Sequence, residues 1–458
     1  MKKYFFLFIS ILLFFLSNIV FSKPVDKTEA SKAAYNFLYA RADNYIKSGL
    51  ALTFYKEVSD EFSKKTLYYI FNVVPQGFII VSADDNLTPV IGYSFEGNYV
   101  DHKNPVQEQW VTTQVKLATQ NLIEDSKNNQ KWQSIINNSF NKGIKAITPL
   151  CTTKWNQDTY YNYMCPIDST GPDNHAYAGC VATAMGQVMK FWNYPANGNS
   201  GYAYQHILPI YMHDYGKVEA NFAATTYNWS NMPNTINNSD KIDVATLLFH
   251  CAVSVKMDFG PDGSGSFTDR VPFALRFYFK YNQAITYMER NFNPGHKWDS
   301  IMMNQLDRGF PMVYSGSTDT DGHAWVVDGY QDSSYFHINW GWSGWNNGYF
   351  YFSDLNSGNG NFSNNQAAVI NIFPQDYVAI ENRDSKSFNL YPNPAKDYFV
   401  IDNAGNDFRV DLINLNGLTV KTSFNNKTIN TSGIDNGMYF VKITQNNMQK
   451  IVKLLIIK

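Results

Sequence analysis

Only four cysteines stand in the 458 residues, and no two are spaced as Cys-x-x-Cys. No His-Glu-x-x-His occurs either, and the eight histidines are scattered, which excludes the common zinc arrangements. Asp319-Thr320-Asp321-Gly322 opens like a calcium loop but lacks the acidic ligands that should follow, so it reads as a turn. No metal or cofactor is expected. Charge is scarce too: 17% of residues are charged and the formal net charge is −2. Without a basic stripe or an acidic tail, nothing points to nucleic acid or an anionic surface. Beyond the N-terminus, no apolar run is long enough to cross a bilayer.

The N-terminus is the exception. Lys2 and Lys3 precede an apolar run from Tyr4 to Val20, which ends at small Ser22 before Lys23-Pro24. Residues 1–22 therefore read as a secretory signal peptide cleaved after Ser22. Ser17 and Asn18 interrupt the run and leave it short for a membrane anchor, and no lipobox cysteine follows. The length predicts two to four domains.

The most informative stretch is Gly179-Cys180-Val181-Ala182-Thr183-Ala184. The residues before it are irregular, whereas Val181, Ala184, Met185, Val188 and Phe191 recur at helical spacing and predict a helix over 180–192. A cysteine in the first helical turn meets unpaired N–H groups and the positive end of the helix dipole, and both favour thiolate. A buried structural cysteine is the alternative.

Two later residues weigh against that alternative. His323 stands at the start of a predicted strand, Ala324 to Val327, and Asn339 lies near the end of another, Tyr335 to Trp340. A cysteine followed roughly 140 residues on by a histidine, then by an asparagine, is the papain-like order. The thiolate attacks a carbonyl, the imidazole holds and delivers the proton, and a side-chain amide directs the ring.

The stretch from Ile147 to Pro374 resembles the streptopain family of secreted cysteine peptidases. Trp155-Asn156-Gln157, Gly179 to Ala184, Met257-Asp258-Phe259-Gly260-Pro261, Gly322-His323-Ala324 and Asn339-Trp340-Gly341-Trp342 carry the resemblance. It implies that Cys180 is the nucleophile and His323 its partner. Gln157 would donate to the oxyanion beside the Cys180 backbone N–H, Asn339 would orient His323, and Trp340 and Trp342 would shield that contact. Such an oxyanion donor is worth ~2.7–4 kcal/mol in the transition state. The loop Gly260 to Ser266 would border the substrate cleft, which places Gly260 and Ser264 on its wall. Its composition looks too flexible for core, and a surface turn is the competing reading. Specificity is expected from an apolar pocket.

Residues 23–145 read as a small α+β unit with a helix at Lys27 to Ala42, strands at 67–74, 77–82 and 90–93, and a helical stretch from Val106 to Ser126. Gly77 to Asp84 and Ile91 to Ser94 resemble the propeptide of the same family, which implies an inhibitory pro-domain acting in cis. Asn137 to Thr148 is polar and poorly periodic, so activation cleavage is expected near Lys142 to Lys145. The protease domain covers 146–374 and a linker 375–388. Residues 389–458 predict an all-β sandwich of up to seven short strands. Leu390-Tyr391-Pro392-Asn393-Pro394 and Gly437 to Val441 resemble type IX secretion sorting domains, which implies outer-membrane secretion machinery as a partner. A carbohydrate-binding module is the alternative for this tail.

The whole chain thus reads as an α+β, papain-like cysteine endopeptidase, secreted to the cell surface or the medium as a zymogen, with protein or peptide substrates. An amidase or transpeptidase with the same dyad, and an inactive adhesin or inhibitor on a protease scaffold, are the rival readings. With Cys180 assigned to catalysis, Cys151 and Cys165 are the expected disulfide pair, three free thiols being the alternative, and Cys251 sits in an apolar helical run as core.

Overall fold

The computed structural model describes residues 23–101, 106–120, 126–139, 146–207, 213–293, 296–317, 322–352, 366–377, 390–402, 407–415, 417–445 and 448–458. The expected signal peptide, 140–145 of the expected cleavage segment, the expected turn at 319–321 and 378–388 of the expected linker lie outside the described residues. Two compact units divide the chain, 1–376 and 377–458.

The first unit begins with α1 (Lys27–Arg41), capped by the Asp26 carboxylate accepting from the Glu29 N–H at 2.8 Å. A short α2 (Asn44–Gly49), capped in the same way by Asp43, follows. Then come four antiparallel strands: β1 (Ala51–Ser59), β2 (Thr66–Val74), β3 (Phe78–Ser82) and β4 (Val90–Ser94). Ala30, Ala33, Ala34, Phe37 and Leu38 of α1 pack on one face of these strands. The single helix expected after them is two, α3 (Val106–Gln120) and α4 (Ser126–Ile136).

The chain continues through β5 (Ala146–Ile147), α5 (Cys180–Trp192), the hairpin β6 (Tyr202–Ile207) and β7 (Asp214–Ala220), α6 (Lys241–Ser254), and α7 (Val271–Tyr278). After these come β8 (Thr286–Glu289), α8 (His296–Asp307), β9 (Met312–Ser317), β10 (Gly322–Gln331), β11 (Tyr335–Asn339), β12 (Gly348–Tyr351) and β13 (Ala367–Ile370). One sheet of eleven described strands runs β1-β2-β3-β4-β12-β11-β10-β9-β13-β8, with β5 also on β10. The N-terminal strands are therefore not an isolated unit. β4 adds directly to β12, with Tyr93 opposite Tyr349 and Gly92 opposite Phe350.

Alternation along the strands sorts two cores. Val313, Ala324, Val326 and Val369 face α5, α6 and α7, while Tyr314, Trp325 and Val327 face α3 and α8. A helical side carrying Cys180 thus meets a sheet carrying His323 and Asn339, as the papain-like order requires.

The second unit holds seven described strands: β14 (Leu390–Tyr391), β15 (Tyr398–Ile401), β16 (Arg409–Asn414), β17 (Thr419–Phe424), β18 (Thr428–Asn430), β19 (Gly437–Gln445) and β20 (Met448–Ile456). They form sheets β14-β15-β18 and β17-β16-β19-β20, and Phe399, Ile401 and Ile429 of one share a core with Val410, Leu412, Val441 and Leu454 of the other. This is the expected sandwich. Among the described residues, no helix is long and apolar enough to cross a membrane.

Candidate active site

Cys180 opens α5 because Gly179 lets the chain turn there. Gly179 has φ +90°, and a Cβ on it would lie 2.6 Å from Met257 Cε. Only the Thr183 N–H closes back onto the Gly179 carbonyl, at 3.0 Å, so the earlier N–H groups of the first turn point outward. The preceding loop is pinned on both sides. The Ala178 N–H donates to the Gln157 carbonyl at 2.9 Å, and the Tyr177 N–H to the Gly260 carbonyl at 3.1 Å. Ser264 Oγ donates to the Tyr177 carbonyl at 2.7 Å and accepts from the Gly260 N–H at 3.0 Å. Ser264 is buried, and Asp258 and Gly265 exchange two backbone hydrogen bonds of 2.9 Å. The glycine-rich loop is thus ordered packing, a correction to the flexibility expected from its composition.

The thiol departs from its expectation too. N–H groups of Cys180, Val181 and Ala324 favour the thiolate, but burial outweighs them and pushes the Cys180 thiol above its ordinary value.

His323 is the second residue of β10, opposite Gly316 of β9. Its Nε2 lies 2.9 Å from the Trp340 carbonyl oxygen. A carbonyl only accepts, so Nε2 carries the proton and Nδ1 is the basic nitrogen of the neutral ring. Trp342 stacks on the imidazole with centroids 4.7 Å apart, and Trp325 and Trp340 follow at 6.1 and 6.4 Å. All three indoles are buried.

Asn339 does not take the expected place. Its Nδ2 donates to the Thr153 carbonyl at 2.7 Å and to Gln187 Oε1 at 3.0 Å, and its Oδ1 accepts from the Gly341 N–H at 3.1 Å. Asn339 therefore ties the Trp340-Gly341 turn to α5, and the Trp340 backbone carbonyl meets the imidazole. The backbone of Gln157 holds the loop before Cys180, its carbonyl accepting from Ala178, and its own N–H donates to Asn156 Oδ1 at 2.8 Å.

Cys180, His323 and Ser264 line one cavity of about 860 Å³. Its wall also carries Lys256, Asp269, Arg270 and Glu289 beside Phe267 and Tyr287, so the expected apolar pocket is a mixed one. Gly260 lies behind Ser264, one hydrogen bond from it. Among the described residues, no cluster of His, Cys, Asp or Glu is arranged to hold a metal ion.

Two contacts from the N-terminal region were not visible in the sequence pattern. Trp110 of α3 packs edge-on against Trp325 and Trp340, at 5.7 and 5.9 Å. Asn346 donates to the Val100 carbonyl and to Gln107 Oε1, and accepts from the Val100 N–H, all within 3.0 Å. A tryptophan on the apolar face of a helix was the one signal for the first; a loop asparagine offers none.

All four cysteines are free thiols, which corrects the expected Cys151–Cys165 pair. The Cys151 backbone N–H is held by Asp328 Oδ2 at 2.8 Å, while that of Cys165 binds the Asn162 carbonyl in its own turn. Proximity in sequence did not bring the two side chains together. Cys251 is core, its Sγ 3.6 Å from Met189 Sδ, and burial pushes the thiols of Cys151, Cys165 and Cys251 well up.

Residues 155–350 match the Peptidase C10 family, residues 22–118 the Spi protease inhibitor, and residues 389–458 the Secretion system C-terminal sorting domain. The chain is 31% identical to the thiol protease/hemagglutinin PrtT of Porphyromonas gingivalis over 77% of its own length, and spans 42% of that larger protein. It is 29% identical to streptopain of Streptococcus pyogenes over 67% of its own length and 80% of streptopain. A fragment of Prevotella intermedia prointerpain A is similar in structure, with a TM-score of 0.55 and 28% identity, over 70% of this chain and 98% of the fragment. Residues 155–350 are thus a Peptidase C10 domain, of the streptopain family, with a Spi-type inhibitor region ahead of it and a secretion sorting domain behind it.

Proposed function

We propose that the protein is a cysteine endopeptidase made as a zymogen, with residues 23–145 as pro-domain, 146–374 as protease domain and 375–388 as linker. The observation that carries this reading is the shared cavity of Cys180, at a helix N-terminus, and His323, whose Nε2 is held by a carbonyl. The sorting domain exports the chain to the cell surface or the medium.

Catalysis would begin as His323 Nδ1 takes the thiol proton and Sγ bonds to the substrate carbonyl carbon. The Trp340 carbonyl favours this by accepting from Nε2 as the ring becomes cationic. The Cys180 N–H and the Gln157 side chain would receive the oxyanion. Collapse breaks the C–N bond, the imidazolium protonates the leaving amine, and a thioester remains on Cys180. Water attacks this acyl-enzyme, gives its proton to Nδ1, and the thiol is restored.

Latency follows from the same residues. The pro-domain extends the catalytic sheet through β4 and packs Trp110 on the indoles beside His323. An inhibitor tethered in cis acts at an effective concentration in the ~mM range, so modest affinity keeps the enzyme silent until the segment near Lys142 to Lys145 is cut.

The test is hydrolysis of casein and a peptide library by the matured protein under reducing conditions. An acid-quenched digest should carry the acyl group on Cys180, and Cys180→Ala and His323→Ala should abolish turnover. An active Cys180→Ala variant, or acylation at another residue, overturns the assignment.

A further inference from the structure

Gln366 lines the same cavity and is 2% exposed, just before β13. Its side-chain oxygen is committed. Oε1 accepts from Tyr314 Oη at 2.5 Å and from Arg290 Nη1 at 3.1 Å. Tyr314 Oη itself accepts from Trp298 Nε1 at 3.1 Å, so its own hydrogen is free for Gln366. Arginine only donates, which fixes the amide with its oxygen toward Arg290. The Nε2 of Gln366 is buried and makes no hydrogen bond to any described residue. An orphaned buried donor is costly, and one on the wall of a catalytic cavity is explained when a ligand completes it.

The strand register places this donor relative to the chemistry. His323 is opposite Gly316, and Ala367 is opposite Ser315, so Gln366 falls on the next rung, beside Gly316. The Arg290 N–H donates to the Gln366 carbonyl at 2.9 Å and continues the ladder. His323, Gly316 and Gln366 thus form a row across three strands, with the indoles of Trp325 and Trp110 packed over Gly316 between the outer two. Strands stand ~4.8 Å apart, so the row spans about 10 Å, or roughly three residues of an extended peptide at ~3.3 Å each.

We propose that Gln366 is a specificity-determining residue whose Nε2 donates to a carbonyl oxygen of the peptide substrate two to three residues from the scissile bond. The proposal rests on the endopeptidase reading above. Arg290 sharpens the donor, because its charge on Oε1 polarises the amide. The oxygen belongs either to the substrate backbone or to an Asn, Gln, Asp or Glu side chain at that position.

The experiment compares the matured wild type with Gln366→Glu and Gln366→Met on a short and a long peptide of the same cleavage-site sequence, and on a library varied at each position. Gln366→Glu keeps both acceptor contacts with Tyr314 and Arg290 but turns the free donor into an acceptor. The kcat/KM ratio of long to short substrate should fall about three- to tenfold in Gln366→Met, through KM, the size of one neutral hydrogen bond. It should fall further in Gln366→Glu. A backbone partner leaves the library profile unaltered, whereas a side-chain partner removes an Asn, Gln, Asp or Glu preference at one position. Equal losses on both peptides in both folded variants, or no change in the ratio, overturn the proposal. If the wild type hydrolyses neither peptide, the endopeptidase reading itself has failed, which is a separate result.

Discussion

The ring of Trp110 packs edge-on against Trp340 at 5.9 Å, and the carbonyl of that same Trp340 holds Nε2 of His323 at 2.9 Å. A side chain of the Spi-type inhibitor region thus bears directly on the residue that holds the His323 imidazole.

Trp110→Ala should loosen the pro-domain. Trp110 is buried among Trp325, Trp340 and Phe352, and such a truncation costs about 3–5 kcal/mol. The precursor should mature faster than wild type and show casein hydrolysis before cleavage. Unaltered maturation kinetics in a folded variant would mean that this contact does not maintain latency.

Cys180 should be the fastest-reacting thiol of the matured protein. It is half-buried and lines the cavity with His323, whereas Cys151, Cys165 and Cys251 are buried and their thiols are pushed up by burial. Iodoacetamide should label it about tenfold or more faster than the other three. Peptide mapping after a short pulse reads this directly, and equal labelling of Cys251, or none at Cys180, contradicts it.

Much of this site was legible in the sequence. Cys180 could be read because helical periodicity begins there after a glycine, and His323 because a strand begins there. The role of Asn339 was not legible, since its amide partners, Thr153 and Gln187, come from distant parts of the chain. Strand β1 escaped because its residues are largely exposed on both faces and carry no alternation. The pairing of β4 with β12 joins residues more than 250 positions apart, which no local pattern encodes. Gln366 is an isolated glutamine until its two hydrogen bonds leave its nitrogen orphaned.

Asn339→Ala should lower kcat through the Trp340-Gly341 turn while leaving a folded protein of reduced stability. It takes the partner from the Thr153 carbonyl and the Gly341 N–H, a loss of about 1–3 kcal/mol for each group left unpaired, while Gln187 Oε1 keeps Thr153 Oγ1 and the Trp155 N–H. Asn339→Asp should be worse, because a carboxylate would face the Thr153 carbonyl and Gln187 Oε1. Thermal melting and kcat measured together test this, and wild-type kcat in Asn339→Ala contradicts it.

His250 should make the first unit acid-sensitive. Burial lowers its pKa from 6.5 to about 4, and its Nδ1 lies 2.9 Å from Tyr227 Oη. A lowered folded pKa means that the unfolded chain binds the proton first. Its stability contribution is complete above pH ~6.5 and is lost as pH falls toward ~4, to a total of about 3 kcal/mol. Denaturant melts across that range should show the loss, and His250→Gln should flatten it. A slope unchanged by His250→Gln contradicts the assignment.

Removing residues 389–458 should leave catalysis intact and stop export in the native host. The tail has its own core and forms a separate compact unit. Normal amounts of truncated protein in the medium, or an inactive truncated enzyme, would refute this.

The central claim is that Cys180 both matures the chain and performs its peptidase chemistry. Its most direct test follows the full chain without its signal peptide over time, as wild type and as Cys180→Ala, in a host lacking other proteases. Wild type should convert to a form beginning near residues 143–148 and then hydrolyse casein. Cys180→Ala should persist as precursor, inert toward casein, and be cut at the same place when active enzyme is added. Self-conversion of Cys180→Ala at the wild-type rate would contradict the account.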